Sequence, residues 1–353
     1  MFAEAQKILM EGIAQKITPG AAFAVARPQQ PPVVGAAGNF TYDPQSPAVR
    51  ADTVFDLASL TKVLATTAMA MLLHQFSALE MDTPVVEVIP EFDGSDRRRA
   101  RVTMGMLLAH NSGLPGYLPL FEQASSREEL LARALAAPLQ ADPMARGAYS
   151  DIGFIILGEA LARIAGEGID SFCQREFFAP LGMAHTQFNP PAACRALIPP
   201  TVNDTDFRHR IIQGEVHDEN ASVMGGISGH AGLFATAADV ARFGQCMALG
   251  GSPLLAPEVV ELFTRRLNVP AGSSRALGWD TPSAPSQAGK YFSPHSFGHL
   301  GYTGASLWVD GERKLVIVLL TNRTWPDRVN QAIQQLRPRF HDAIFAALEA
   351  LPE

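Results

Sequence analysis

"DLASLTKVLATTAMAMLLHQF", residues 56–76, sets a serine and a lysine three positions apart at the head of a long apolar run. In an α-helix these positions share a side, so Ser59 in the first turn brings its hydroxyl toward the Lys62 amine. Val63 to Leu73 then form a buried stem that fixes both. A serine hydroxyl is a weak nucleophile until its proton is taken, and lysine serves as base only where burial or a nearby cation disfavours its charge. The head of a helix suits acyl transfer, because free N–H groups and the helix dipole favour negative charge developing on a carbonyl oxygen. On spacing alone the plainer account is stronger: Ser59 caps the helix and Lys62 snorkels to water.

Two remote segments shift that balance. Tyr149, in "GAYSDIGF", immediately precedes a segment whose apolar Ile152, Ile155, Ile156, Leu157, Ala160 and Ile164 recur at helical spacing, with Ser150 available as cap. A phenol there can share a proton with Lys62 if folding joins them, since a nearby cation lowers its pKa. In "GHLGYTGASLWVD", Gly298, Gly301 and Gly304 open an otherwise good strand. Glycine lets backbone approach a ligand closely, which makes the Tyr302 N–H a candidate oxyanion donor, with His299 beside it.

In this order the pieces resemble the serine β-lactamase and penicillin-binding-protein superfamily, particularly its branch of class C β-lactamases, D-Ala-D-Ala carboxypeptidases and related esterases. "LLAHNSGL" (107–114) and "MGGISGHAGLFATAADVARF" (224–243) also look like stretches of that branch. The resemblance implies that Ser59 is the acyl-enzyme nucleophile, that Lys62 assists its deprotonation and that Tyr149 is general acid or base. It further implies an oxyanion site at the Ser59 and Tyr302 N–H groups, with His299, Gly301 and Asp151 contacting substrate. No cofactor and no metal are implied.

Two departures from the family's motifs bear on substrate. Asp151 in "YSD" stands where asparagine is usual, and a carboxylate there stabilises the Lys62 ammonium against use as a neutral base. "HLG", residues 299–301, replaces Lys-Thr-Gly, and histidine offers a less constant positive charge to a substrate carboxylate. The expected substrate is therefore a carboxylic ester or small acyl compound, then a D-amino-acid peptide, with a β-lactam third. A penicillin-binding sensor that acylates without turnover is the rival from outside enzymology.

Other polar clusters read as local structure. His110 and Ser112, two apart, do not face each other on a helix and are expected in turn and helix-end hydrogen bonds. Ser228 in "GGISGHAG" lacks the final glycine and preceding strand of a nucleophile elbow. His217, Asp218 and Glu219, with His230, are metal-ligand types without a helical His-Glu-any-any-His spacing. They are expected as a hydrogen-bonded loop bordering the cleft, ahead of substrate contact and then of a metal site.

The chain has 353 residues, 47% of them hydrophobic and 18% charged, enough for a substantial core. A formal charge of −7 weighs against nucleic acid as partner, and Arg97–Arg99 with Arg101 is a local solvated cluster. Three cysteines without metal-ligand spacing suggest no disulfide scaffold. No apolar run approaches the ~18 residues of a membrane span. Glu4 and Glu11 interrupt the first helix, so it does not read as an export signal. The cytoplasm is the expected compartment, or the periplasm if an export segment precedes Met1, and a monomer is the default.

The order of elements is helix, strands, many helices, strands, helix. "AAFAVAR" (21–27) and "PPVVGAAG" (31–38) read as one hairpin, and "GYTGASLWVD" (301–310) with "KLVIVLLTNR" (314–323) as another. A long terminal helix is expected from Pro326. This order suits an α/β fold of the α+β kind, its antiparallel sheet built from both chain ends. Residues 1–75 and 270–353 are expected to form the sheet domain, and residues 76–269 a mainly helical domain whose long loop, 184–235, lines the cleft.

Overall fold

The computed structural model describes residues 1–350. Strands β1 (Gly20–Ala26) and β2 (Val33–Gly38) form one edge of a five-stranded sheet. Strands β3 (Phe297–Leu300), β4 (Ser306–Asp310) and β5 (Leu315–Thr321) form the rest, in the order β2-β1-β5-β4-β3 with every pair antiparallel. The two chain ends meet at its centre, where Phe23 pairs with Leu319 and Val25 with Ile317.

Alternation along β1 and β5 assigns side chains to two buried faces. Phe23, Val25, Ile317 and Leu319 point toward helices α1 (Ala3–Ala14) and α5 (Ile333–Glu349), which pack together. Ala22, Ala24, Val316 and Val318 face the main core. There they meet α4 (Ala237–Ala248), in a core continuous with helices α2 (Ala68–Gln75) and α3 (Asp151–Ala165). Each large aliphatic side chain so buried contributes about 1.5–3 kcal/mol.

Several expectations are corrected. Residues 56–76 are not one α-helix: a 3₁₀ turn over Ala58–Leu60 runs into a π-helical stretch over Lys62–Thr67, and α-helix begins only at Ala68. At the entry Ala58 sits at φ +46° and the buried Asp56 carboxylate accepts the Ala58 N–H at 2.7 Å. Asp56 therefore takes the capping part expected of Ser59.

The second hairpin starts later than its sequence suggests. β4 begins at Ser306, because residues 301–305 make the turn that links it to β3. The terminal helix begins at Ile333, not Pro326. Residues 326–332 instead cross one end of the cleft, with the Arg328 and Asn330 carbonyls accepting from Arg323. Pro338 lies within α5; it cannot donate to the Gln334 carbonyl, which accepts from Gln287 Nε2 at 3.2 Å.

Residues 184–235 hold more regular structure than a loop. Gln187–Phe188, Leu233–Ala235 and Phe55–Asp56 form a small sheet, Pro200–Asp204 pairs with Arg210–Gln213, and Glu219–Val223 is helical. Strands of two to five residues are too short to leave a readable alternation. His217, Asp218, Glu219 and Ala231 from this stretch do line the cleft.

Candidate active site

The cleft encloses about 620 Å³, and Ser59, Tyr149, Asp151, His299, Gly301 and Tyr302 all line it. Lys62 lies beneath them, 0% exposed. Its three ammonium protons have three acceptors: Ser59 Oγ at 3.0 Å, Asp151 Oδ1 at 2.7 Å and the His230 carbonyl at 3.0 Å. The snorkelling account is thereby excluded.

Burial by itself pushes the Lys62 amine toward neutrality, but the Asp151 carboxylate and the Tyr149 phenol outweigh it and raise its pKa above the ordinary value. Lys62 is a cation at rest. Tyr149 is also raised, by burial first; Lys62 pulls it down and Asp151 pushes it up. Lys62 Nζ lies 4.9 Å from the Tyr149 ring centre. A phenol facing a fixed cation ionises more readily than burial alone permits, so this pair can receive the serine proton once Tyr149 has lost its own.

The position of Tyr149 follows from the loop after Met104–Leu108. The Ala148 N–H donates to the His110 carbonyl at 2.8 Å, the Ser150 N–H to His110 Nδ1 at 3.0 Å, and the Asp151 N–H to the Gly116 carbonyl at 2.7 Å. Ser150 Oγ caps α3 by accepting the Gly153 N–H at 2.9 Å, as the spacing predicts. The His110 ring packs on Tyr149 and Phe154, with centroids 4.7 and 4.9 Å away. Burial, with Arg275, Lys62 and His299 nearby, holds His110 neutral. Its local hydrogen bonding was expected; its service to Tyr149 was not.

The other wall is backbone. A Cβ at Gly301 would lie 2.5 Å from the Leu57 carbonyl oxygen, so only glycine lets this turn approach the Ala58–Ser59 turn. The Ser59 and Tyr302 N–H groups have no acceptor among the described residues, as an oxyanion site requires. His299 Nδ1–H donates to the Leu300 carbonyl at 2.8 Å, leaving Nε2 as an unpartnered acceptor. Burial, helped by Lys62 and Arg275, holds its pKa well below the usual range, so His299 offers a substrate no positive charge.

Behind the nucleophile turn, Asp56 joins three segments. It accepts from the Ala58 and His217 N–H groups at 2.7 and 2.6 Å, and its carbonyl accepts from Thr303 Oγ1 at 2.9 Å. Burial raises its carboxyl to about 6. The Lys62 acceptor at His230 is set by close backbone packing: a Cβ at Gly229 would lie 2.9 Å from the Gly158 Cα on α3.

Ser228, His230 and Asp218 are hydrogen-bonded in line, Ser228 Oγ to His230 Nδ1 at 2.8 Å and His230 Nε2 to Asp218 Oδ1 at 2.8 Å. The serine is the buried end, 2% exposed against Met224 Sδ, so this row is no second nucleophile. Among the described residues, no three His, Cys, Asp or Glu side chains are grouped to hold a metal ion. Among the described residues, no helix is long and apolar enough to cross a membrane.

Arg275, Arg323, Arg328 and Arg337 also line the cleft, and sequence reasoning named none of them. Arg323 stacks on the Tyr302 ring at 4.4 Å and donates to the Tyr302 carbonyl at 2.8 Å. Arg337 donates to the Gly301 and Gly304 carbonyls at 3.1 and 3.0 Å, which braces the glycine turn from α5. Nothing in their spacing in sequence foretells this convergence.

Comparison with known proteins agrees with the geometry. A family model described as "Beta-lactamase" matches residues 5–337. The "Putative D-alanyl-D-alanine carboxypeptidase" of Escherichia coli (strain K12) is 30% identical over 304 residues, covering 77% of this chain and 69% of that protein. Solved structures that share the fold include two of different kinds. EstCE1, described as a hydrolase with promiscuous acyltransferase activity, superposes with TM-score 0.79 at 20% identity over 98% of both chains. A penicillin-binding protein homologue from Caulobacter crescentus has TM-score 0.77 at 22% identity, covering 98% of this chain and 97% of that one. The chain belongs to the beta-lactamase family, whose members are serine hydrolases acting through an acyl-enzyme.

Proposed function

We propose that Ser59 attacks the carbonyl of a carboxylic ester or other small acyl compound, forming an acyl-enzyme that water then hydrolyses. The observation that carries this reading is the Ser59 hydroxyl, 3.0 Å from Lys62 Nζ and beside two N–H groups without acceptors. As Ser59 Oγ bonds to the carbonyl carbon, its proton passes to the Tyr149 oxygen, ionised opposite the Lys62 cation. The oxyanion takes hydrogen bonds from the Ser59 and Tyr302 N–H groups. Tyr149 then returns the proton to the leaving group as the carbonyl re-forms, and deacylation repeats the sequence with water in place of serine.

Neutral His299 supports an ester ahead of a substrate that needs a carboxylate contact at this position. A D-amino-acid peptide is the second reading, favoured by the name of the Escherichia coli relative. A β-lactam ranks third, and a sensor that acylates without turnover last. The working unit is taken as a monomer in the cytoplasm, for light scattering and cell fractionation to check. The test of function is incubation with short-chain nitrophenyl esters, D-Ala-D-Ala peptide and a chromogenic cephalosporin, following turnover and protein mass together. Steady ester cleavage that disappears in Ser59→Ala is expected. A lasting adduct without turnover favours the sensor, and turnover undiminished in Ser59→Ala sinks the mechanism.

A further inference from the structure

Two neighbouring residues on the cleft wall have hydrogen-bonding capacity that the acyl transfer does not use. His217 is 4% exposed, yet neither ring nitrogen has a partner among the described residues. Its backbone is fixed, since its N–H donates to Asp56 Oδ2 at 2.6 Å, and its ring lies 5.8 Å from that of Tyr302. Burial, reinforced by Arg328 and Arg208, drops the imidazole to about 3, so it is neutral and keeps one lone pair for a donor. A buried polar ring without a partner is an exception that needs an explanation, and at a cleft wall a ligand is one.

Asp218 is half used. Its Oδ1 accepts from His230 Nε2 and from the Ala221 N–H, both at 2.8 Å, whereas Oδ2 has no donor among the described residues. Burial opposes its charge, but His230 and these hydrogen bonds hold the carboxyl well below the usual range. Of the carboxylates on this wall, Asp151 is matched by Lys62 and Glu219 by Arg328. Asp218 has no lysine or arginine partner. Two consecutive residues of the cleft lining thus carry a carboxylate oxygen and ring nitrogens whose hydrogen-bonding capacity is unused.

We infer that His217 and Asp218 form a subsite for a protonated amino group close to the scissile carbonyl, so that the acyl substrates of this enzyme include amino-acid esters or amides with a free amine. This rests on the serine-hydrolase reading and deepens it. An ammonium group supplies a charge-assisted donor to Asp218 Oδ2 and a second donor to His217. An acylated amine brings one neutral donor and gives Asp218 Oδ2 no charged one.

The test compares the methyl esters of D- and L-alanine with their N-acetyl derivatives, following acid release. For at least one enantiomer, kcat/KM is expected to favour the free amine by about tenfold to a hundredfold, mainly through KM, as for a hydrogen bond to a charged group. The preference is expected to fade as pH rises through the substrate amine's own pKa. Asp218→Asn is expected to bring the ratio toward one, and His217→Phe to lower it. If Asp218→Asn does not fold, the pH dependence of the wild-type ratio decides. Equal rates for the two esters at every pH, or a preference for the acetylated ones, overturn the subsite while leaving acyl transfer intact. If no ester turns over and Ser59 gains no acyl mass, the serine-hydrolase reading fails and the subsite with it.

Discussion

Asp151 Oδ1 lies 2.7 Å from Lys62 Nζ, and this contact holds the lysine as a cation at rest. In the proposed mechanism Lys62 is then less a base than the charge that offsets part of the cost of ionising Tyr149. Asp151 opposes that ionisation, because its carboxylate raises both partners.

Asp151→Asn is thus expected to move the acidic limb of the pH profile of kcat/KM to lower pH, by about one unit or more for loss of a charge at this range. The sign follows because the carboxylate raises both groups: without it, Lys62 and Tyr149 each give up a proton more easily. A limb that stays in place, or moves to higher pH, removes Asp151 from this role.

Tyr149→Phe keeps the ring between His110 and Lys62 and removes only the hydroxyl. A fall in kcat of about 10²–10⁴ is expected, the usual worth of a positioned acid or base. Thermal unfolding should change little. Retention of full kcat assigns the proton transfer elsewhere.

Gly301→Ala places a methyl group where the Leu57 carbonyl oxygen stands 2.5 Å away, so the glycine turn must retreat from Ser59. Because an oxyanion donor is worth about 10²–10³ in kcat, a loss of that order is expected. Acylation kinetics followed by mass measure it. Unchanged acylation would show that the Tyr302 N–H does not contact the oxyanion.

Asp56 makes stability depend on pH. Its carboxyl is raised to about 6 in the fold, so in the window from roughly pH 4 to 6 the folded chain holds a proton that the unfolded chain has lost. The stabilisation is complete below that window and disappears as pH rises through it, a change of about 3 kcal/mol at most. Asp56→Asn should flatten the slope of stability against pH there, although it also costs one of the two N–H acceptors at all pH values. An unaltered slope in denaturant titrations rules Asp56 out as its source.

The fold was legible where long elements kept a period. β1, β5 and α3 lie within a residue or two of their expected bounds, because alternation or helical recurrence persists over seven or more residues. The geometry at Ser59 was not legible, since the turn at Ala58 with its positive φ is held by Asp56, whose other partner His217 is remote in sequence. Motif order sufficed to bring Ser59, Lys62 and Tyr149 to one place. The arginines of the cleft and the use of His110 under Tyr149 depend on tertiary contacts that no local pattern encodes.

The sheet that pairs Ala21 with Thr321 also sets when the enzyme comes into being. β1 leaves the ribosome first and waits, its central neighbour unmade until the long stretch between Ala26 and Leu315 has been translated. The nucleophile turn waits as well, because Gly301 and Arg337 complete and brace it from the far end. Pairing of such distant segments is slow to nucleate. A chain truncated before β5 therefore displays Phe23 and Val25 as an unpaired apolar edge and carries a serine with no oxyanion wall, which ties solubility and activity to the same late event in synthesis.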